Sequence, residues 1–184
     1  MRVRSLVPAL VTIALAAVPV AAQRLGTVEL SGFLQGTRPD PVWKLDTSFG
    51  LACGIGVFLT PRLEVEFQRA STRFDPVRPR GFASVPGHST SGRLTYNHPF
   101  SSGRRVHHLM IGAGATDADV EGTSSTGAVL VSVGGRLSVA RWFAVRPEIA
   151  VERFAEVNDG LRPPRHGTAT NKVFRIGASL LLHR

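Results

Sequence analysis

Ser48-Phe49-Gly50-Leu51-Ala52-Cys53-Gly54-Ile55-Gly56-Val57-Phe58-Leu59, then Thr60-Pro61-Arg62, then Leu63-Glu64-Val65-Glu66-Phe67-Gln68, is the stretch that decides the fold. Phe49, Leu51, Cys53, Ile55, Val57 and Leu59 recur at every second position, against Ser48, Gly50, Ala52, Gly54 and Gly56 on the other parity. After the turn, Leu63, Val65 and Phe67 oppose Glu64, Glu66 and Gln68. A period of two is that of a strand whose successive side chains leave opposite faces, and Pro61 pre-sets the φ of a tight turn. The stretch therefore predicts a hairpin with one oily face and one small or charged face.

Working outward, the same alternation predicts eight strands, near residues 25–36, 47–59, 62–71, 88–98, 105–116, 126–139, 142–154 and 171–183. No segment keeps a helical 3.6 period. Connections alternate in length. Turns at residues 60–62, 99–104 and 140–141 are short, whereas residues 37–46, 71–87, 117–125 and 156–170 form long polar loops. Short turns at one rim and long loops at the other is the asymmetry of a membrane-spanning up-and-down barrel, whose tilted strands need about 9–11 residues to cross.

Alternation alone does not say which face is inside. A soluble barrel of the lipocalin type would bury the oily rows and show the charges to water. The polar strand face carries Glu29, Glu64, Glu66, Glu148 and Glu152 together with Arg93, Arg136, Arg146 and Arg175, and no lysine. Arginine can satisfy two carboxylates through its planar fork, which suits an enclosed interior better than a solvated face. Small residues on the same parity, such as Gly54, Gly56, Gly112 and Gly134, would leave room for those long side chains in a narrow lumen. The expectation is an all-β, eight-stranded antiparallel barrel with lipid outside and a plug of Arg/Glu pairs inside.

Arg2 and Arg4 precede an apolar run over residues 6–20, and Val20-Ala21-Ala22 supplies small residues for cleavage. Residues 1–22 therefore read as a secretory signal peptide and 23–184 as the barrel domain. Cys53 is the one cysteine of the chain, so no disulfide can form within it. The net charge of +9 is scattered rather than gathered into basic runs, which argues against nucleic acid and toward anionic lipid headgroups.

The segment Val57-Phe58-Leu59-Thr60-Pro61-Arg62-Leu63-Glu64-Val65-Glu66 resembles a hairpin of the OmpA-like and opacity-protein-like outer-membrane β-barrel families. Leu94-Thr95-Tyr96-Asn97-His98-Pro99-Phe100, with Ile111-Gly112-Ala113-Gly114, resembles their fourth and fifth strands, and Arg146-Pro147-Glu148 resembles the seventh. The resemblance spans nearly the whole mature chain. It implies a monomer in the bacterial outer membrane, inserted by the outer-membrane assembly machinery, with a structural, envelope-integrity or surface-interaction role. Those families commonly end their last strand on an aromatic residue, where this chain ends Leu182-His183-Arg184.

Sites follow from placement. Arg69, Arg153 and Lys172 fall on the outward parity near the loop-side ends of their strands, where they are candidate contacts for lipopolysaccharide phosphates. Trp43, Phe49, Tyr96, Phe100, Trp142, Phe143 and Phe174 lie near strand ends, as interfacial girdles require. His107 and His108 are neighbours in a strand and point to opposite faces, so they do not share a metal. Asp117, Asp119 and Glu121 cluster in the third long loop and read as a solvated acidic segment rather than a calcium site. No metal, cofactor or catalytic triad is expected. Two alternatives stand: a periplasmic lipocalin-like carrier of small ligands, and a lipid A-modifying barrel enzyme.

Overall fold

The computed structural model describes residues 25–43, 45–75, 84–102, 105–120, 123–125, 127–158 and 166–182. The expected signal peptide, Lys44 and Glu121 lie outside them. In chain order the strands are β1 (Val28–Arg38), β2 (Ser48–Phe58), β3 (Leu63–Phe74), β4 (Val85–Ser102), β5 (Arg105–Val120), β6 (Thr123–Ser125), β7 (Ala128–Ser138), β8 (Phe143–Asn158) and β9 (His166–Leu182). All pairings are antiparallel, each long strand lies beside the next, and β9 returns to pair with β1. Eight strands close the wall. The three-residue β6 bridges the loop-side ends of β5 and β8.

One circuit along the hydrogen bonds runs from Val28 to Val57, Val65, Leu94, Ala113, Val131, Val151 and Lys172, and arrives back on β1 at Arg38. The stagger is thus ten residues, the separation of Val28 and Arg38. With about 3.3 Å per residue and about 4.8 Å between strands, eight strands at that stagger tilt by about 40° and enclose a backbone radius of about 8 Å. Such a cylinder has room for side chains and not for an aqueous channel.

The faces divide as alternation predicts. Large apolar side chains stand outward, among them Phe49 at 79% exposure, Val129 at 64% and Ile176 at 58%. Buried positions inside are held by Glu29, Glu64, Glu66, Arg93, Arg136, Arg146, Glu148, Glu152 and Arg175. A wall of exposed leucine, valine, isoleucine and phenylalanine around a charged interior is the inverse of a water-soluble barrel, and the lipocalin-like arrangement does not hold.

The short turns are built alike. Leu59 and Thr60 both donate to the Leu63 carbonyl, and Val139 and Ala140 both donate to that of Phe143. Thr60 Oγ1 also accepts from the amides of Arg62 and Leu63 at 3.2 and 2.9 Å, which fixes the turn before β3. The third turn departs from expectation. β4 and β5 stay paired to Ser102 and Arg105, so residues 99–102 are strand rather than turn. Pro99 is tolerated because β3 pairing ends at Tyr96, and the Asn97 amide on the same edge already uses the Arg62 carbonyl at 2.7 Å. Two residues on, that edge has no strand to receive an N–H, so a missing one costs nothing.

The long loops are shorter than predicted because the strands run past the oily band. Asp117 and Asp119 belong to β5, exposed on its outward face, and are not loop residues. Among the described residues no group of His, Cys, Asp or Glu is gathered for a metal.

Candidate functional site

The nine charged residues of the polar face meet in one connected lattice across the lumen. Glu148, from β8, is its hub. It receives Arg93 of β4 through both oxygens, at 2.6 and 2.7 Å, and Arg175 of β9 at 2.8 Å. Arg93 also reaches Glu66 at 2.8 Å and Ser132 Oγ at 3.0 Å, so its whole guanidinium is engaged. Arg146 joins Glu29 at 2.6 Å and Glu66 at 3.1 Å. Arg136 pairs with Glu29, with Glu64 at 2.7 Å, and donates to Asn97 Oδ1 at 2.7 Å. Glu152 is the outlier, 3.8 Å from Arg175 and nearest the loop-side mouth.

Two aromatic rings complete the plug. The Arg136 guanidinium carbon lies 5.0 Å from the centroid of Phe58, and that of Arg146 lies 5.2 Å from Phe33. Both rings are buried, on the inward parity. Sequence reading missed them, although Phe33 shares its parity with Glu29 and Gln35, and Phe58 with Gly54 and Gly56. Small residues make the space. A Cβ on Gly56 would collide with the Glu64 carboxylate, and one on Gly177 would approach the Phe33 ring to 2.5 Å.

Toward the loop-side mouth apolar residues interleave with buried polar ones such as Thr37, Thr72, Glu152 and Asn171. Leu130, Ala150 and Val173 pack together, and Ala128, Phe154 and Ala169 pack above them against Val42, Leu45 and Ala118. Val42 belongs to a 3-10 turn, Pro41–Trp43, held over the mouth by Asp40. The carboxylate of Asp40 accepts from the amides of Val42 at 3.0 Å and Thr170 at 2.9 Å, and its own amide donates to Asn171 Oδ1 at 3.0 Å. The ion pairs therefore fill the lumen, and the apolar cluster with the Asp40-held turn covers part of its mouth.

On the outer wall the structure sorts the three basic residues picked from the sequence. Lys172 of β9 and Arg153 of β8 are diagonal neighbours, since Val151 faces Lys172 and Arg153 faces Thr170. Arg38 of β1 lies directly opposite Lys172. All three are exposed, forming a crescent over adjacent strands at the loop-side rim. Arg69 stands apart on β3, with Arg73 above it on the same face. Arg38 and Arg73 were missed because the predicted strands stopped at 36 and 71, short of the observed ends. Asp117 and Asp119 stand on β5, across the barrel from β1, so the rim is polarised.

Of the aromatic residues assigned to girdles, Phe49, Phe100, Trp142 and Phe174 are exposed on the outer surface. Tyr96 and Phe143 are half-buried on the same face, and nothing is described of the Trp43 side chain. His107 faces outward, with Nδ1 accepting from the Ser138 amide at 3.1 Å, and His108 is buried in the lumen. The pair is split between faces and cannot grip one ion.

No family model matches the chain, and no curated protein matches it in sequence. Solved structures do match in fold. AlkL, an outer membrane protein solved in lipid bilayers, has 13% identity and a TM-score of 0.62, covering 92% of this chain and 96% of its own. The N-terminal β-barrel domain of OprF from Pseudomonas aeruginosa has 16% identity and a TM-score of 0.55, over 87% of this chain and 100% of its own. The outer membrane protein OprG of the same organism has 13% identity and a TM-score of 0.54, over 88% and 98%. The likeness is one of fold: this chain has the eight-stranded architecture of small outer-membrane barrels.

Proposed function

We propose that this chain resides in the bacterial outer membrane as a closed barrel serving envelope integrity or surface contact, with its loop-side rim held against lipopolysaccharide. The observation that carries the reading is the crescent of Arg38, Arg153 and Lys172 at the upper edge of an oily wall. Like charges directly opposite on neighbouring strands repel, and anions laid between them relieve that repulsion. Lipid phosphates in the outer leaflet are the anions at that depth, each basic side chain near the surface contributing about 1 kcal/mol to their attraction.

A binding or structural role fits better than catalysis. Glu29, Glu66 and Glu148 are tied to guanidiniums rather than poised beside a nucleophile, so these carboxylates serve the plug and not the general-base role a lipid A-modifying enzyme would need. The export signal at residues 1–22 and insertion by the outer-membrane assembly machinery belong to the same proposal.

Fractionation tests location. The full chain should stay with detergent-extracted outer membrane and migrate faster on gels unheated than boiled, whereas release with periplasm would refute the reading. The triple variant Arg38→Gln, Arg153→Gln, Lys172→Gln tests the crescent. It should fold normally and retain less lipopolysaccharide through purification, and unchanged retention would remove the assignment.

A further inference from the structure

The outer wall is not uniformly bulky. Ala178, Gly32 and Cys53 are directly paired across β9, β1 and β2, and the next position in that row is Arg69 of β3. The row above holds Ile176, Leu34 and Leu51, and the row below holds Leu180, Leu30 and Ile55. Small residues between two ridges of large ones leave a slot, and a shallow open groove over it is lined by Gly32, Cys53 and Ala178, by the upper ridge of Leu34, Leu51 and Ile176, and by Arg69 at its end. Three inter-strand steps of about 4.8 Å give the slot a length of about 15 Å. The row climbs toward the loop-side rim, because a circuit in this direction gains ten residues of height.

Its upper end is polar. Arg69 is exposed and makes no ion pair with any described residue. Thr90 lies directly opposite it, and Ser71 and His88 face each other one row higher, all on the outward face. A guanidinium, two hydroxyls and an imidazole form a donor set suited to a phosphate oxygen. An unpaired arginine on a lipid-facing wall below the rim is costly, by about 2–4 kcal/mol at the midplane and less toward the interface. A bound phosphate would offset that cost.

We propose that this slot binds one acyl chain of a phosphate-bearing outer-leaflet lipid of the lipid A type, with the lipid's phosphate on Arg69. The chain lies against Gly32, Cys53 and Ala178 between the two ridges. In hydrocarbon such packing is driven by van der Waals fit, which is why backbone-close small residues matter. The inference rests on the chain spanning the outer membrane, and it is separate from the crescent, whose Arg38 and Lys172 stand six residues nearer the loop-side rim than Gly32 and Ala178 on the same two strands.

The slot can be filled without harming the barrel, because a Cβ on Gly32 meets nothing within 4 Å. The full chain in dimyristoylphosphatidylcholine nanodiscs is titrated with lipid A and bound lipid is counted by native mass spectrometry. Gly32→Leu and Ala178→Leu, each verified as folded by gel mobility, should weaken lipid A binding about fivefold or more. Arg69→Gln should weaken it about fivefold, matching one surface charge, and dephosphorylated lipid A should bind the unaltered chain as weakly as lipid A binds that variant. Binding unchanged in both slot-filled variants overturns the proposal, as does equal affinity for dephosphorylated lipid A. The crescent variant separates the two ideas. Loss there with Gly32→Leu unaffected overturns the slot and leaves the crescent, whereas loss in Gly32→Leu with the crescent variant unaffected supports the slot and removes the crescent.

Discussion

Glu148→Ala should be among the most damaging single changes in the barrel. Its carboxylate accepts three charge-assisted hydrogen bonds, at 2.6, 2.7 and 2.8 Å, from Arg93 and Arg175. After truncation Arg93 keeps Glu66 and Ser132, and Arg175 keeps Gln35 at 2.8 Å and the distant Glu152. Two guanidinium edges are then left inside the lumen without an anion. Removing one partner of a buried ion pair costs about 3–5 kcal/mol, because the remaining charge is not resolvated. Glu148→Gln retains volume and one acceptor and should lose about 2 kcal/mol. Glu152→Gln is the internal control: that group is buried but makes only a long 3.8 Å pair, and the lumen's five acids against four arginines leave one in excess, so neutralising it removes a desolvated charge and the loss should stay under about 1 kcal/mol. Urea unfolding in phosphatidylcholine vesicles, followed by tryptophan fluorescence and gel mobility, measures all three. A Glu148→Ala loss below about 1 kcal/mol, the range of exposed pairs, would refute the picture of a dry ionic plug.

Other consequences are open to measurement. Gly56→Val should destabilise the barrel by about 1–3 kcal/mol, since its side chain enters the Glu64 carboxylate, whereas Gly32→Ala should fall within about 0.5 kcal/mol in the same urea assay. Asp40→Ala should speed hydrogen exchange at the Thr170 amide and at Val42, which lose their shared acceptor, and unaltered exchange there would mean that the turn is held by other contacts. Planar bilayers containing the unaltered chain should show no porin-sized conductance, because the ionic lattice lies across the axis; a steady large current would contradict the closed lumen.

Much of this architecture was legible in the residues because each strand lies between two unlike environments, so Val57, Val65 and Val131 on one parity and Glu64, Glu66 and Arg93 on the other had to separate. Orientation was legible from the choice of arginine over lysine on the polar face. The strand ends were not. Beyond the bilayer both faces meet water, alternation loses its cause, and β4 continues through Phe100 and Ser101, and β5 through Asp117 and Asp119, with no sequence signal. Pro99 misled because a breaker of regular strands is harmless on an edge whose neighbour has ended. Parity marked which charges face inward, but which acid meets which base depends on the ten-residue stagger and on registers that single-strand patterns do not contain. The crescent had the same fate: Arg38 comes beside Lys172 through a pairing between the two ends of the chain.

That terminal pairing also governs how the molecule can be made. Val28 bonds alongside Leu182, so no local event can close the cylinder, and a nascent fragment lacking the last strand presents two raw backbone edges. Hydrocarbon offers those edges no hydrogen-bonding partner, at several kcal/mol for each group left bare. Insertion must therefore await synthesis of the final segment, and premature termination anywhere upstream should yield a product fit for proteolysis rather than a shorter working version.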